Sequence, residues 1–283
     1  MTYKFRLPLK GFYTFKLFGQ THVPNQSSST YPVIGSWMLE CKSEWKGELY
    51  PDSKTTYGPV DVFHSSGLSL KGGNSSHIIA EDGTCCVVIT KPSDVELIHD
   101  LKRDDVKQRK CSFEDHRNDG TESYFLLRLP ERGYYQLNLF AKKGKHGSNY
   151  PYAGTWLIES KSPWQGELYP LQDMAWGVDD EFTNLGLQLE GHNSSRIVAI
   201  DGKCVLAFKT PSPISTKFQL YSDERRIHEK KTDEYIEVTS DIKMICFSME
   251  LPDPGFYKFE LYGNLKEKEN LPYLGCWLIE YER

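Results

Sequence analysis

No run of this 283-residue chain approaches the ~18 unbroken apolar residues that a membrane-spanning helix needs. Basic charge is not in excess either. The 34 Lys and Arg face 39 Asp and Glu, a net charge of −5, so no field exists to hold a phosphate backbone and no nucleic-acid partner is expected. The opening MTYKFRLPLKGFY lacks the charged, apolar, small-residue layout of a secretory leader, which predicts a cytoplasmic chain. Cysteines number seven, an odd count, and none sits in a CxxC. A disulfide framework and a zinc site are therefore not expected. The histidines are scattered, and His77 and His192 do not share a repeat position, so neither metal nor cofactor is predicted.

Catalytic constellations are missing too. A reactive thiol needs a lowered pKa, a histidine and an orienting group. Cys85, Cys204, Cys246 and Cys276 fall in apolar strand patterns and read as buried structural thiols, while Cys111, in a charged loop, is expected to be exposed. Nothing singles out a carboxylate pair for glycoside chemistry. Helical periodicity is absent throughout.

What is present is repetition. SWMLECKSEWKGELYP (36–51) returns as TWLIESKSPWQGELYP (155–170), and the same offset carries Asn74-Ser75-Ser76 to Asn193-Ser194-Ser195 and Asp82-Gly83 to Asp201-Gly202. PLKGFYTFKLFG (8–19) reappears as PERGYYQLNLFA (130–141) and PDPGFYKFELYG (252–263), each followed by Pro, Gly, Trp and Glu, ending Trp37-Glu40, Trp156-Glu159 and Trp277-Glu280. The half with the Gly-x-Tyr and Trp strands occurs three times, but the half with the Asn-Ser-Ser and Asp-Gly turns occurs twice. One closing half is an orphan, and it falls at the N-terminus. The predicted division is a half-sandwich at 1–43, a linker at 44–56, a sandwich at 57–161, a linker at 162–175 and a sandwich at 176–283.

Aromatics make up 13% of the chain and suit two-sheet cores. In GFYKFELYG (255–263) alternation sets Tyr257, Phe259 and Leu261 on one face, the mark of a half-buried strand. PDPG before it reads as a hairpin or a sheet-switching corner, and Asp201-Gly202 as a hairpin turn. The charged stretch 223–234 reads as a solvated loop or edge. About seven short strands per unit predict an all-β fold of tandem immunoglobulin-like sandwiches. The Gly-x-Tyr motif has the layout of a tyrosine corner, assigning structural hydroxyls to Tyr13, Tyr135 and Tyr257. The cysteine that follows two residues later in antibody domains is here Phe15, Leu137 and Phe259, so a core held by packing alone is expected. Trp37, Trp156 and Trp277 read as core. Trp45 and Trp164 lie in short polar stretches between units, either as wedges fixing the angle between units or as anchors for a partner. Trp176 reads as packing at the entry to the last unit.

The run W-x-G-E-L-Y-P, followed by AWGVDDEF (175–182), resembles the immunoglobulin-like repeats that follow the transglutaminase-like domain in the kyphoscoliosis peptidase and hillarin family. The first copy departs from the pattern with Tyr57 where the second has Trp176. The resemblance implies a non-catalytic, cytoskeleton-associated protein-binding scaffold. No residue matches the family's catalytic Cys–His–Asp motifs, so the alternative it implies is a regulatory or substrate-positioning arm of a transglutaminase-like cysteine peptidase. A carbohydrate-binding sandwich is the third reading, set against the repeat positions of the tryptophans.

Overall fold

The computed structural model describes residues 3–19, 31–51, 56–73, 75–117, 120–144, 149–171, 176–222, 225–226, 234–265 and 271–282. These form two compact units, Met1–Lys54 and Thr55–Arg283.

The larger unit holds two sandwiches of one design. In the first, a four-stranded sheet orders Ser69–Leu70, Thr84–Thr90, Glu122–Arg128 and Ser112–His116. It faces a six-stranded sheet built on the antiparallel pair Gly133–Lys143 and Tyr152–Ser160. Val95–Arg103 flanks the first of that pair. Gly58–Pro59 and His77–Ala80 flank the second, the latter parallel to it. The second sandwich repeats the plan around Gly255–Asn264 and Tyr273–Tyr281. Among the described residues the Met1–Lys54 unit shows only the central pair, Gly11–Phe18 against Val33–Cys41. Register is conserved across the three copies: Phe15, Leu137 and Phe259 oppose Trp37, Trp156 and Trp277, and each pair ends in a bulge, after Leu17, Leu139 and Leu261. Just before that tryptophan, Gly154 and Gly275 hold φ near +155°, and a Cβ at Gly154 would lie 2.6 Å from the Gly58 carbonyl, so only glycine lets the edge strand approach.

Each core lies between the two sheets. Trp156 and Trp277 are 1% and 0% exposed, packed against Phe63 and Phe182 at ring separations of 5.4 and 6.4 Å. Those phenylalanines ride on two α-helices, Asp61–Ser65 and Asp180–Asn184, where the sequence predicted none. Five residues are too few to show a period. Asp179 caps the second helix, accepting the Glu181 N–H at 3.1 Å.

Other expectations need correction. The Asp201-Gly202 turn has φ of +50° and +77°, as a two-residue hairpin turn requires, and Ile200 and Lys203 exchange two hydrogen bonds. The strands then part, since Arg196–Ala199 joins Tyr273–Tyr281 and Lys203–Lys209 joins the opposite sheet. Their apolar positions line opposite walls of one core, so a continued hairpin would strand one set. PDPG resolves to the sheet-switching corner, leading from the four-stranded sheet into Gly255–Asn264. That strand is buried on both faces, because a neighbouring domain covers Phe256 and Glu260 lies in the interior. Cys111, expected exposed, is 3% exposed in the first core. Trp37, expected in a core, is 48% exposed. Most of the charged stretch 223–234 lies outside the described residues; within it Arg225–Arg226 pairs with Tyr221-Ser222.

Candidate functional site at the interdomain joint

The tyrosine hydroxyls fix the corner at the start of each central strand. Tyr13, Tyr135 and Tyr257 each donate to the carbonyl four residues back, at 2.8, 3.1 and 2.8 Å, and accept the N–H of that residue. Each corner opens the strand that pairs with the tryptophan-bearing one, and that tryptophan is buried in the two complete sandwiches.

Just before the second corner stands Arg128, at the end of Glu122–Arg128 and 5% exposed. Its Nη1 donates to the Glu167 carbonyl at 3.1 Å. Its Nη2 pairs with Glu280 of the last sandwich and reaches Glu282 Oε1 at 3.3 Å. The guanidinium lies over Trp164, Tyr169 and Phe256, 5.0, 4.5 and 5.3 Å from the ring centroids. Arg196 binds the other Glu280 oxygen through Nε at 2.7 Å. Burial pushes the Glu280 carboxyl up, but the charges of Arg196 and Arg128 outweigh it and hold it below the usual carboxylate range.

A second patch completes the joint. Phe113, Tyr169, Trp176, Phe256, Cys276 and Leu278 form a third apolar cluster, apart from the two cores. Beside it Asp115 Oδ1 accepts from Ser195 N, Ser195 Oγ and Ser194 Oγ at 2.8, 3.0 and 2.7 Å. The Asn-Ser-Ser turn of the last sandwich thus closes the free edge of Ser112–His116, which would otherwise invite a foreign strand.

Of the tryptophans named from the sequence, Trp164 and Trp176 therefore meet in this joint, one under the Arg128 guanidinium and one against Phe113 at 5.7 Å. Trp45 lies in the Met1–Lys54 unit, 45% exposed, in a local copy of half of it. There the Arg6 guanidinium covers Trp45 and Tyr50 at 4.8 and 4.3 Å, and both Arg6 and the Trp45 indole donate to the Glu48 carbonyl. Sequence reading missed these arginines. The signal was present, since Arg-Leu-Pro recurs at 6–8 and 128–130 while the third copy reads Glu-Leu-Pro at 250–252. A cavity of about 450 Å³ opens beside Arg128 and Phe256.

One side-chain cluster has the order of a catalytic relay. His99 Nε2 lies 2.9 Å from Ser112 Oγ, and His99 Nδ1 lies 3.5 Å from Glu114 Oε2. Burial pushes the Glu114 carboxyl up, but nearby His116, His99 and Lys91 outweigh it and hold it low. Ser112 and Glu114 are both buried. By register their counterparts in the last sandwich are the apolar Phe218, Ile236 and Val238, of which Ile236 is buried, Phe218 half-buried and Val238 exposed. Ser112→Ala is expected to cost about 1–3 kcal/mol by stranding a buried polar partner. Changing all three residues to Phe, Ile and Val should restore stability to within about 1 kcal/mol, as exchange of a buried polar group for matched apolar packing can. Chemical denaturation of the two variants checks this.

Burial holds four of the thiols away from activation. Burial raises Cys85 and Cys276 to about 12 and Cys111 and Cys204 to about 11, so their thiolate fractions at neutral pH are negligible. Among the described residues no three His, Cys, Asp or Glu side chains converge as metal ligands, and no helix is long and apolar enough to cross a membrane.

The profile of the KY-like, immunoglobulin-like domain matches residues 61–171 and again 175–283. The chain belongs to this family. Its two KY-like domains are tandem immunoglobulin-like sandwiches, and that architecture supports a non-catalytic module. No curated protein matches the sequence. Among solved structures, titin Ig tandem domains are 10% identical over 76% of this chain and 96% of theirs, with a TM-score of 0.21. Titin z1z2 in complex with telethonin is also 10% identical, over 76% and 94%, at 0.21. The tandem Ig repeats of Dlar are 7% identical over 76% and 97%, at 0.21. Likenesses at this level carry no statement about function.

Proposed function

We propose that the chain is a non-catalytic, cytoplasmic scaffold whose KY-like domains bind protein partners, cytoskeletal ones among them. The domains fall at 57–161 and 176–283, joined by 162–175, with 1–43 a separate closing half followed by a connecting stretch at 44–56. The observation that carries this reading is the joint. Arg128 and Glu280 form a buried ion pair, with aromatic rings around the Arg128 guanidinium and the half-buried Arg196 on the other Glu280 oxygen, which spends polar burial on fixing one domain against the next. Such a device suits a protein whose working surface spans both domains. Fixing their relation removes the ordering cost that a flexible pair would incur on binding.

The test is co-sedimentation of the full chain with a detergent-resistant cytoskeletal fraction. Retention is expected for the native protein and a several-fold loss for Phe256→Asp, which puts a charge into the joint. Equal recovery of both in the soluble fraction would remove the cytoskeletal reading. The non-catalytic reading has its own test. A fluorophosphonate probe should leave Ser112 unlabelled, and a thiol probe should find no accelerated cysteine. Stoichiometric labelling of Ser112 would overturn it.

A further inference from the structure

The Gly11–Cys41 hairpin repeats the central pair of the two complete sandwiches residue for residue, bulge included. Its tyrosine corner is formed, with Tyr13 Oη donating to the Leu9 carbonyl at 2.8 Å. Its core-side face carries Phe15, Leu17, Trp37 and Leu39. Tyr3 and Phe5 lie on Phe15 at 5.1 and 5.0 Å, yet Trp37 stays 48% exposed, where Trp156 and Trp277 are sealed.

The complete copies show what seals this face. In the first sandwich the cover comes from the segment 58–128. Phe63, Val87, Ile89 and Phe125 of that segment close over the Trp156 side of the core. The same segment supplies the strands on both edges of the central pair, Val95–Arg103 on one and Gly58–Pro59 with parallel His77–Ala80 on the other. Among the described residues the Gly11–Phe18 and Val33–Cys41 strands pair only with each other. Both edges and one apolar face thus share one missing complement.

We propose that this hairpin is a docking surface for the opening half of an immunoglobulin-like sandwich, a polypeptide segment with the strand set of residues 58–128. A single extended peptide would satisfy one edge and leave Trp37 open. A second hairpin packed face to face would cover Trp37 and leave both edges bare. Only an opening half supplies two edges, a parallel strand and a second sheet together. The exposed backbone groups give affinity and the apolar face gives selection, as in strand addition generally. The corner at Tyr13 and the bulge at Leu17 already hold the hairpin in its sandwich geometry, which lowers the ordering cost of docking.

The inference names a kind of partner for the interaction reading above and rests on it. Its test uses purified components, so failure here leaves the co-sedimentation result untouched. Amide hydrogen exchange of the full chain is followed alone and with either of two probes, polypeptides 57–129 and 176–251 of this sequence. Alone, amides of 11–18 and 33–41 should exchange at least about 100-fold faster than those of Gly133–Lys143. With saturating probe they should slow at least about tenfold, and Trp37→Asp should abolish that slowing while the Gly133–Lys143 amides stay unchanged. Three outcomes overturn the proposal: slow exchange without probe at every concentration, slow exchange that appears only as the chain dimerises, or no slowing with either probe.

Discussion

Arg128→Ala is expected to cost about 3 kcal/mol and to split the unfolding of the two domains into separate transitions. The substitution leaves the Glu280 carboxylate, 3% exposed, with Arg196 as its remaining cation, and empties the space between Trp164, Tyr169 and Phe256. For a unit of this size the loss corresponds to a fall in melting temperature of about 6–12 °C. Pairing Arg128→Met with Glu280→Leu should recover most of it, because removing both charges removes the uncompensated one. The joint also carries a pH signature. Glu280 is held below its ordinary value of 4.5 in the folded chain. Its contribution is therefore fully present above that value and is lost as the pH falls below 4.5 and through the lower folded value. Acid unfolding of the Arg128→Met, Glu280→Leu variant should lack this component, and denaturant titrations from neutral pH downward measure it.

The second large effect separates three residues that the sequence presents as equivalents. Trp156→Ala and Trp277→Ala should each cost about 3–5 kcal/mol, through lost burial and the cavity left between Phe63 or Phe182 and the opposing strand. Trp37→Ala in the chain alone should cost less than about 1 kcal/mol, since its ring is half in water before the change. Urea unfolding of the three variants measures the difference. A cost at Trp37 equal to that at Trp156 would show that its face is covered after all and would remove the docking proposal with it.

Much of the architecture was legible in the residues. Period-two alternation at 255–263, Gly-x-Tyr at the start of each central strand and the Asp-Gly turns are all local signals; they placed strands and turns, though not which sheet a strand joins or how many of its faces are covered. The loss of the antibody-type cysteine at 137 and 259 went with cores closed by packing, where Leu137 and Phe259 are fully buried. The five-residue helices escaped because one turn and a half shows no period. Asp201-Gly202 misled because a turn specifies two residue pairs at most, whereas sheet membership depends on which wall of the core the flanking side chains must line.

The candidate site was half visible. Its tryptophans drew notice as aromatics in polar stretches, and the glutamates of the three copies stood in register, but nothing near Arg128 in sequence announces Glu280, 152 residues away. The sequence by itself determined the repeat, the all-β sandwich plan, the family and the corners, because strand alternation, turn chemistry and covalent spacing act between neighbours along the chain. Only the tertiary structure decided which equivalent positions are sealed and which are open. Burial and charge pairing depend on which surfaces the fold brings together, so Trp156 and Trp37 occupy one register and meet different fates.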